Sequence, residues 1–134
     1  MRPIPILRQY MTLAPKTIGS DQTLEQAAEY MRKLHVRHLP VIKGGKPIGI
    51  VTDRDIFLVL SFQNPNSRSM KVETALTPNP FIVGPDASLV DVVDQMVDQK
   101  YGSVLIMDEG KLTGIFTALD ALRALSDVFR NEYA

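Results

Sequence analysis

The chain of 134 residues has no cysteine. That absence excludes disulfides, thiolate nucleophiles and thiolate metal sites, and it fits a reducing, cytoplasmic setting. Net charge is absent too, since 15 Lys and Arg balance 15 Asp and Glu. No global field therefore draws a nucleic-acid backbone or an anionic membrane, and neither is expected as a partner. No apolar run approaches the roughly 20 residues that span a bilayer. The opening "MRPIPILRQY" carries two prolines and lacks the sustained apolar core of a signal peptide. Nor is there a Walker-type phosphate loop or a plausible nucleophile–base pair, so catalysis is not expected. His35 and His38 are three apart but have no third ligand at matching spacing, so no metal site is expected.

What the chain does have is an internal repeat. A shift of 65 residues carries Thr12 onto Thr77, Gly19 onto Gly84, Leu24 onto Leu89 and Met31 onto Met96. The same shift carries Gly45-Lys46 onto Gly110-Lys111 and Gly49-Ile50 onto Gly114-Ile115. It ends on Thr52/Thr117, Asp55/Asp120 and Leu60/Leu125. Each copy reads as strand, helix, strand, strand, helix. In the first copy Lys16 to Ile18 is a short strand. Leu24, Ala27, Ala28, Met31 and Leu34 then make one helical face, opened by a capping box of Thr23 and Gln26. In the second copy Ser88 and Asp91 stand at the same place. Two strands follow in each copy, "HLPVI" with "PIGIV" and "SVLIM" with "LTGIF", joined by glycine-containing turns. A last helix starts near Asp53 and runs to Leu60, or starts near Ala118 and runs to Phe129. The polar, proline-bearing segment 61–71 reads as a connector. The expected layout is a first repeat at 7–60, a second at 72–126, and a helix end and tail at 127–134. A unit of about 55 residues buries too little surface to be secure alone. The fold class expected is α+β: two βαββα repeats packed through their sheets with pseudo-two-fold symmetry and two equivalent clefts.

One motif stands out in both copies: glycine, two apolar residues, threonine, two variable residues, aspartate. It covers Gly49 to Asp55 and Gly114 to Asp120. The plain reading is structural. Thr52 and Thr117 cap a helix, and Asp55 and Asp120 complement its dipole for about 0.3–1 kcal/mol. A chemical reading stands beside it. A carboxylate there can accept two hydrogen bonds from the vicinal diol of a ribose, and the threonine and exposed amides can meet a phosphate.

On these residues, and most specifically on "LHVRHLPVIKGGKPIGIVTDRDI", the sequence resembles a tandem cystathionine-β-synthase (CBS) domain pair, or Bateman module, standing alone. The resemblance covers residues 7–126. The second copy departs from the pattern: Leu105 takes the place held by Pro40, and Gly102-Ser103 that of Arg37-His38. The resemblance implies a regulatory sensor that binds AMP, ADP, ATP or S-adenosylmethionine in the inter-repeat clefts. It signals by rearrangement of the repeats or of a homodimer, through an effector protein not yet identified. It implies no catalytic cofactor; Mg²⁺ would enter only on ATP. In one cleft Thr117 and Asp120 would hold phosphate and ribose, and Ile115, Ala14, Pro15, Lys16 and Val36 would enclose the base. Arg37, His38 and Arg54 would face the phosphates there. The reciprocal cleft would use Thr52, Asp55 and Ile50, with Asn79, Pro80, Phe81 and Tyr101 around the base. Its cross-repeat positions Gly102, Ser103 and Leu119 carry no charge, so the Asp120 cleft is expected to be the stronger. The alternative is a structural oligomerisation module with vestigial clefts. The stripe Leu119, Leu122, Leu125 and Phe129 is expected to serve as core or as a dimer surface.

Overall fold

The computed structural model describes residues 3–62 and 64–133. Gln63 of the connector, Ala134 of the tail and the first two residues of the opening segment lie outside them. The elements run in chain order as β1 (Thr12–Leu13), β2 (Ile18–Gly19), α1 (Leu24–Leu34), β3 (His38–Lys43), β4 (Lys46–Thr52) and α2 (Asp53–Ser61). The second half repeats them as β5 (Thr77–Pro78), β6 (Ile82–Val83), α3 (Leu89–Gln99), β7 (Ser103–Asp108), β8 (Lys111–Thr117) and α4 (Ala118–Tyr133). The content is α+β, two βαββα repeats, as the sequence implies. Three details differ from expectation. The short strand of the first copy lies at Ile18–Gly19, the last helix continues past Phe129 to Tyr133, and each repeat is preceded by an extra two-residue strand.

Those extra strands decide the architecture. Two compact units form: Lys16–Pro80 is the first, and the N-terminal segment through Pro15 joins Phe81 onward to make the second. In the first unit the strand order is β2-β3-β4-β5; in the second it is β1-β8-β7-β6. Each sheet therefore contains one parallel pair bridged by a helix, one hairpin, and an edge strand supplied by a segment that leads the other repeat in sequence.

The first unit packs Ile18, Leu24, Ala27, Met31, Leu39, Val41, Val51, Ile56 and Val72 into one core. Val72 comes from beyond the connector, where its amide donates to the Gln22 carbonyl and the Leu24 amide donates to the Met70 carbonyl. The second unit buries Leu7, Leu89, Val92, Met96, Val104, Ile106, Phe116 and Ala124. Leu7 is wholly buried there, and its amide donates to the Ala87 carbonyl. The two helical stripes face these cores as their spacing requires.

Local chemistry explains the turns and caps. The β3–β4 turn needs two left-handed residues and has Gly44 (φ 59°) and Gly45 (φ 78°). The β7–β8 turn places Glu109 at φ 50° beside Gly110 at 77°. Helix α1 starts on the expected reciprocal box: Thr23 Oγ1 accepts from the Gln26 amide at 3.1 Å, and Gln26 Oε1 accepts from the Thr23 amide at 2.9 Å. Helix α3 is capped more weakly, with the Asp91 amide 3.5 Å from Ser88 Oγ. His35 ends α1 as a left-handed cap, φ 56°, which gives that histidine a structural post.

Candidate functional site

Each unit carries a threonine at the end of a strand and an aspartate in the first turn of the helix that follows. In the first unit β4 stops at Thr52 because the chain turns into α2 there. The Asp55 amide donates to Thr52 Oγ1 at 3.1 Å, and the Thr52 amide donates to Asp55 Oδ2 at 3.0 Å. In the second unit the Asp120 amide lies 3.4 Å from Thr117 Oγ1, and the Thr117 amide donates to Asp120 Oδ2 at 2.9 Å. A reciprocal cap of this kind satisfies two backbone donors that a helix start leaves open. It uses one carboxylate oxygen, Oδ2, in each copy. The other oxygen, Oδ1, distinguishes them.

Asp120 Oδ1 accepts from Arg123 Nη1 at 3.0 Å and from Thr12 Oγ1 at 3.4 Å, while the Thr117 hydroxyl lies 3.3 Å from Oδ2. The Asp120 side chain is 4% exposed. Asp55 is half-buried, and no described residue donates a hydrogen bond to its Oδ1. Arg123 and Thr12 are partners of Asp120 that lie outside the repeated motif. The spacing of Arg123 from Asp120, three residues on a helix, was a signal in plain view; the approach of Thr12 depends on the edge strand β1.

That edge strand is set by glycine. Thr12 pairs with Ile115 and Leu13 with Gly114; in the first unit Thr77 pairs with Ile50 and Pro78 with Gly49. A Cβ on Gly49 would press on the Thr77 carbonyl oxygen and come within 2.7 Å of Leu76 Cδ1. A Cβ on Gly114 would come within 2.7 Å of Met11 Sδ and 3.2 Å of the Thr12 carbonyl oxygen. Just past each edge strand the backbone goes left-handed, at Ala14 (φ 49°) and Asn79 (φ 55°). The Ala14 amide donates to the Thr113 carbonyl.

The expected site residues therefore sort by unit. The second unit brings together Ala14, Pro15, Ile115, Thr117 and Asp120, and places Phe81 against Tyr101 with ring centroids 5.1 Å apart. The first unit holds Ile50, Thr52, Asp55 and Pro80, and also Lys16, Val36, Arg37, His38 and Arg54. Within it His38 lies across from Thr52 in the β3–β4 register, and the Asp53 amide donates to the Arg37 carbonyl. The Arg37 side chain is 83% exposed and reaches Asp53 only at 4.0 Å. Arg54 is exposed as well. The stripe of Leu119, Leu122, Leu125 and Phe129 is exposed and not part of its unit's core, where Asp120 and Ala124 are the buried positions of α4. Among the described residues no group of three or more acidic or histidine side chains is placed to hold a metal ion, and no helix is long and apolar enough to cross a membrane.

Comparison with known proteins accords with this geometry. The CBS domain pattern matches residues 7–61 and 72–127. The chain is 30% identical over 125 residues to inosine-5'-monophosphate dehydrogenase of Korarchaeum cryptofilum, covering 92% of this chain but only 24% of that enzyme. It is 30% identical over 110 residues to the CBS domain-containing protein YhcV of Bacillus subtilis, covering 81% of this chain and 77% of that protein. Among solved structures, the CBS domain pair of protein MJ0100, in complex with 5'-methylthioadenosine and S-adenosyl-L-methionine, superposes with a TM-score of 0.84 at 25% identity, covering 94% of this chain and 99% of that one. With both copies matched and the paired fold shared, the chain belongs to the CBS domain family as a tandem pair.

Proposed function

We propose that this chain is a regulatory module that binds an adenosine-containing ligand, with Asp55 and Asp120 as the candidate anchors for the ribose diol. The observation that carries the reading is the duplicated cap. In both units a carboxylate stands at a helix start beside a threonine hydroxyl, and the cap itself engages a single carboxylate oxygen. The complex of the MJ0100 domain pair with two adenosine compounds supports the ligand class. Arg37 and Arg54 are exposed cationic groups suited to phosphate, and the Phe81–Tyr101 pair offers aromatic surface suited to a purine. The output would be a shift between arrangements of the chain that ligand binds with different affinity, read by a partner or by a second copy.

Thermal denaturation with millimolar adenosine, AMP, ATP and S-adenosylmethionine tests this. A ligand at 100 times its dissociation constant adds about 2.7 kcal/mol of stability. An unchanged melting temperature with all four compounds would refute the proposal.

A second reading has its own observation. Leu119, Leu122, Leu125, Phe129 and Tyr133 form an exposed apolar stripe along α4, and Phe57, Leu58 and Phe62 another at α2. Exposed apolar area of this extent marks interaction surfaces. We infer homodimerisation through α4, with or without ligand. Sedimentation of Leu122→Glu, expected to run as a monomer, checks it.

A further inference from the structure

The two anchors are not equally available. Both oxygens of the Asp120 carboxylate are engaged within its own unit: the Thr117 amide donates to Oδ2 at 2.9 Å and Arg123 Nη1 to Oδ1 at 3.0 Å, with the Thr117 and Thr12 hydroxyls farther off at 3.3 and 3.4 Å. The arginine bond is charge-assisted, at 3.0 Å, to an acid whose side chain is 4% exposed, while the arginine itself remains 66% exposed. A ribose diol offers two neutral donors. To bind there it must displace a cation from a buried anion. The repeat supplies the control, because the position equivalent to Arg123 is Leu58 (123 less the period of 65), which has no donor. Nothing on α2 competes for Asp55 as Arg123 does for Asp120.

We propose that Arg123 is a built-in competitor for the ribose diol, so that the Asp120 anchor is held closed while the Asp55 anchor is ready. The inference rests on the nucleotide-binding reading above. It reverses the ranking expected from the cations that the resemblance assigns to the Asp120 cleft, because that carboxylate already holds a charged partner before any ligand arrives. Arg123 is a positioning residue in this scheme: it acts through Asp120 and sets which repeat binds first.

The test is isothermal titration with adenosine and with 2',3'-dideoxyadenosine, which lacks both hydroxyls. Asp55→Ala isolates the second anchor, and Asp120→Ala isolates the first. Adding Arg123→Leu to the Asp55→Ala chain is expected to tighten adenosine binding at least tenfold and to leave dideoxyadenosine unchanged. Adding Leu58→Arg to the Asp120→Ala chain is expected to weaken adenosine binding at least tenfold. If Arg123→Leu misfolds by circular dichroism, the Leu58→Arg arm decides alone. Adenosine bound with equal affinity with and without these changes overturns the competitor and leaves the nucleotide reading standing. An equal gain for dideoxyadenosine also overturns it, since the diol would then not be what Arg123 displaces. No heat from adenosine, AMP or S-adenosylmethionine with the native chain overturns the nucleotide reading, and the competitor with it.

Discussion

Gly49 and Gly114 occupy the same place in the repeat, yet the structure gives them different tolerances. At Gly49 the obstacle to a side chain is backbone, the Thr77 carbonyl; at Gly114 it is first the flexible thioether of Met11. Gly49→Ala is therefore expected to cost several kcal/mol through strain and loss of the β4–β5 pairing, and Gly114→Ala distinctly less, since methionine adapts. Urea denaturation of the two variants measures the difference, and equal losses would contradict it. The sequence revealed both glycines as part of a motif but not their purpose. A glycine that admits a neighbouring backbone looks the same as one that makes a turn until the neighbour is known. A second expectation concerns Tyr10, whose hydroxyl donates to Asp127 Oδ2. That hydrogen bond, then burial, then the Asp127 charge raise the phenol above its ordinary value of 10.0. The fold thus favours the neutral phenol. The stabilisation is complete below about pH 10, and it fades as pH climbs through the raised value. Stability of the native chain should fall as pH rises above 10, relative to Tyr10→Phe, which lacks the group; parallel curves from thermal melts would sink the assignment.

At the scale of elements, the helices and hairpins were legible because their signals are local. Thr23 with Gln26 opens α1, the two-residue turns close the hairpins, and the three-four spacing of Leu89, Val92 and Met96 turns α3 inward. The edge strands were not legible. Two residues such as Thr12–Leu13 carry no periodicity, and their partner, β8, lies some hundred positions along the chain. Nothing local says which sheet they join. The same holds for the turn at Leu7–Gln9, whose first residue is fully buried in the second unit. Leu7→Ala should accordingly cost about 2–5 kcal/mol. The loss should appear as faster amide exchange in β7 and β8, not in β3 and β4. Protection lost first from β3 and β4 would place Leu7 in the wrong core.

For the whole molecule, the period of the sequence and the period of the structure are out of step. The first repeat as laid out from the sequence begins at residue 7, but the first compact unit begins at Lys16 and runs on through Pro80. It includes Val72 and β5, which follow the connector. An excised chain of residues 16–80 keeps its whole core and its fourth strand, whereas an excised 7–60 lacks Val72 from the core and the fourth strand. The first is expected to show native-like circular dichroism and a cooperative, if shallow, urea transition; the second should be largely unfolded. Equal behaviour would mean that the borrowed strand matters little. The candidate site follows the same logic. Threonine, aspartate and their spacing were readable, because each pair spans one strand end and the start of the helix that follows. The filling of the Asp120 carboxylate was not, since one of its partners, Thr12, arrives on the borrowed strand.

The out-of-step units also bear on how the protein is made. In synthesis Leu7 precedes α4 by more than a hundred residues, yet the sheet and helices that shelter it are completed only when α4 has been made. Residues 16–80, by contrast, can close as soon as Pro80 is clear of the exit tunnel. The opening segment must therefore wait, apolar and unsheltered, while a neighbour born later folds ahead of it. It is then the part most open to a chaperone or to another nascent chain.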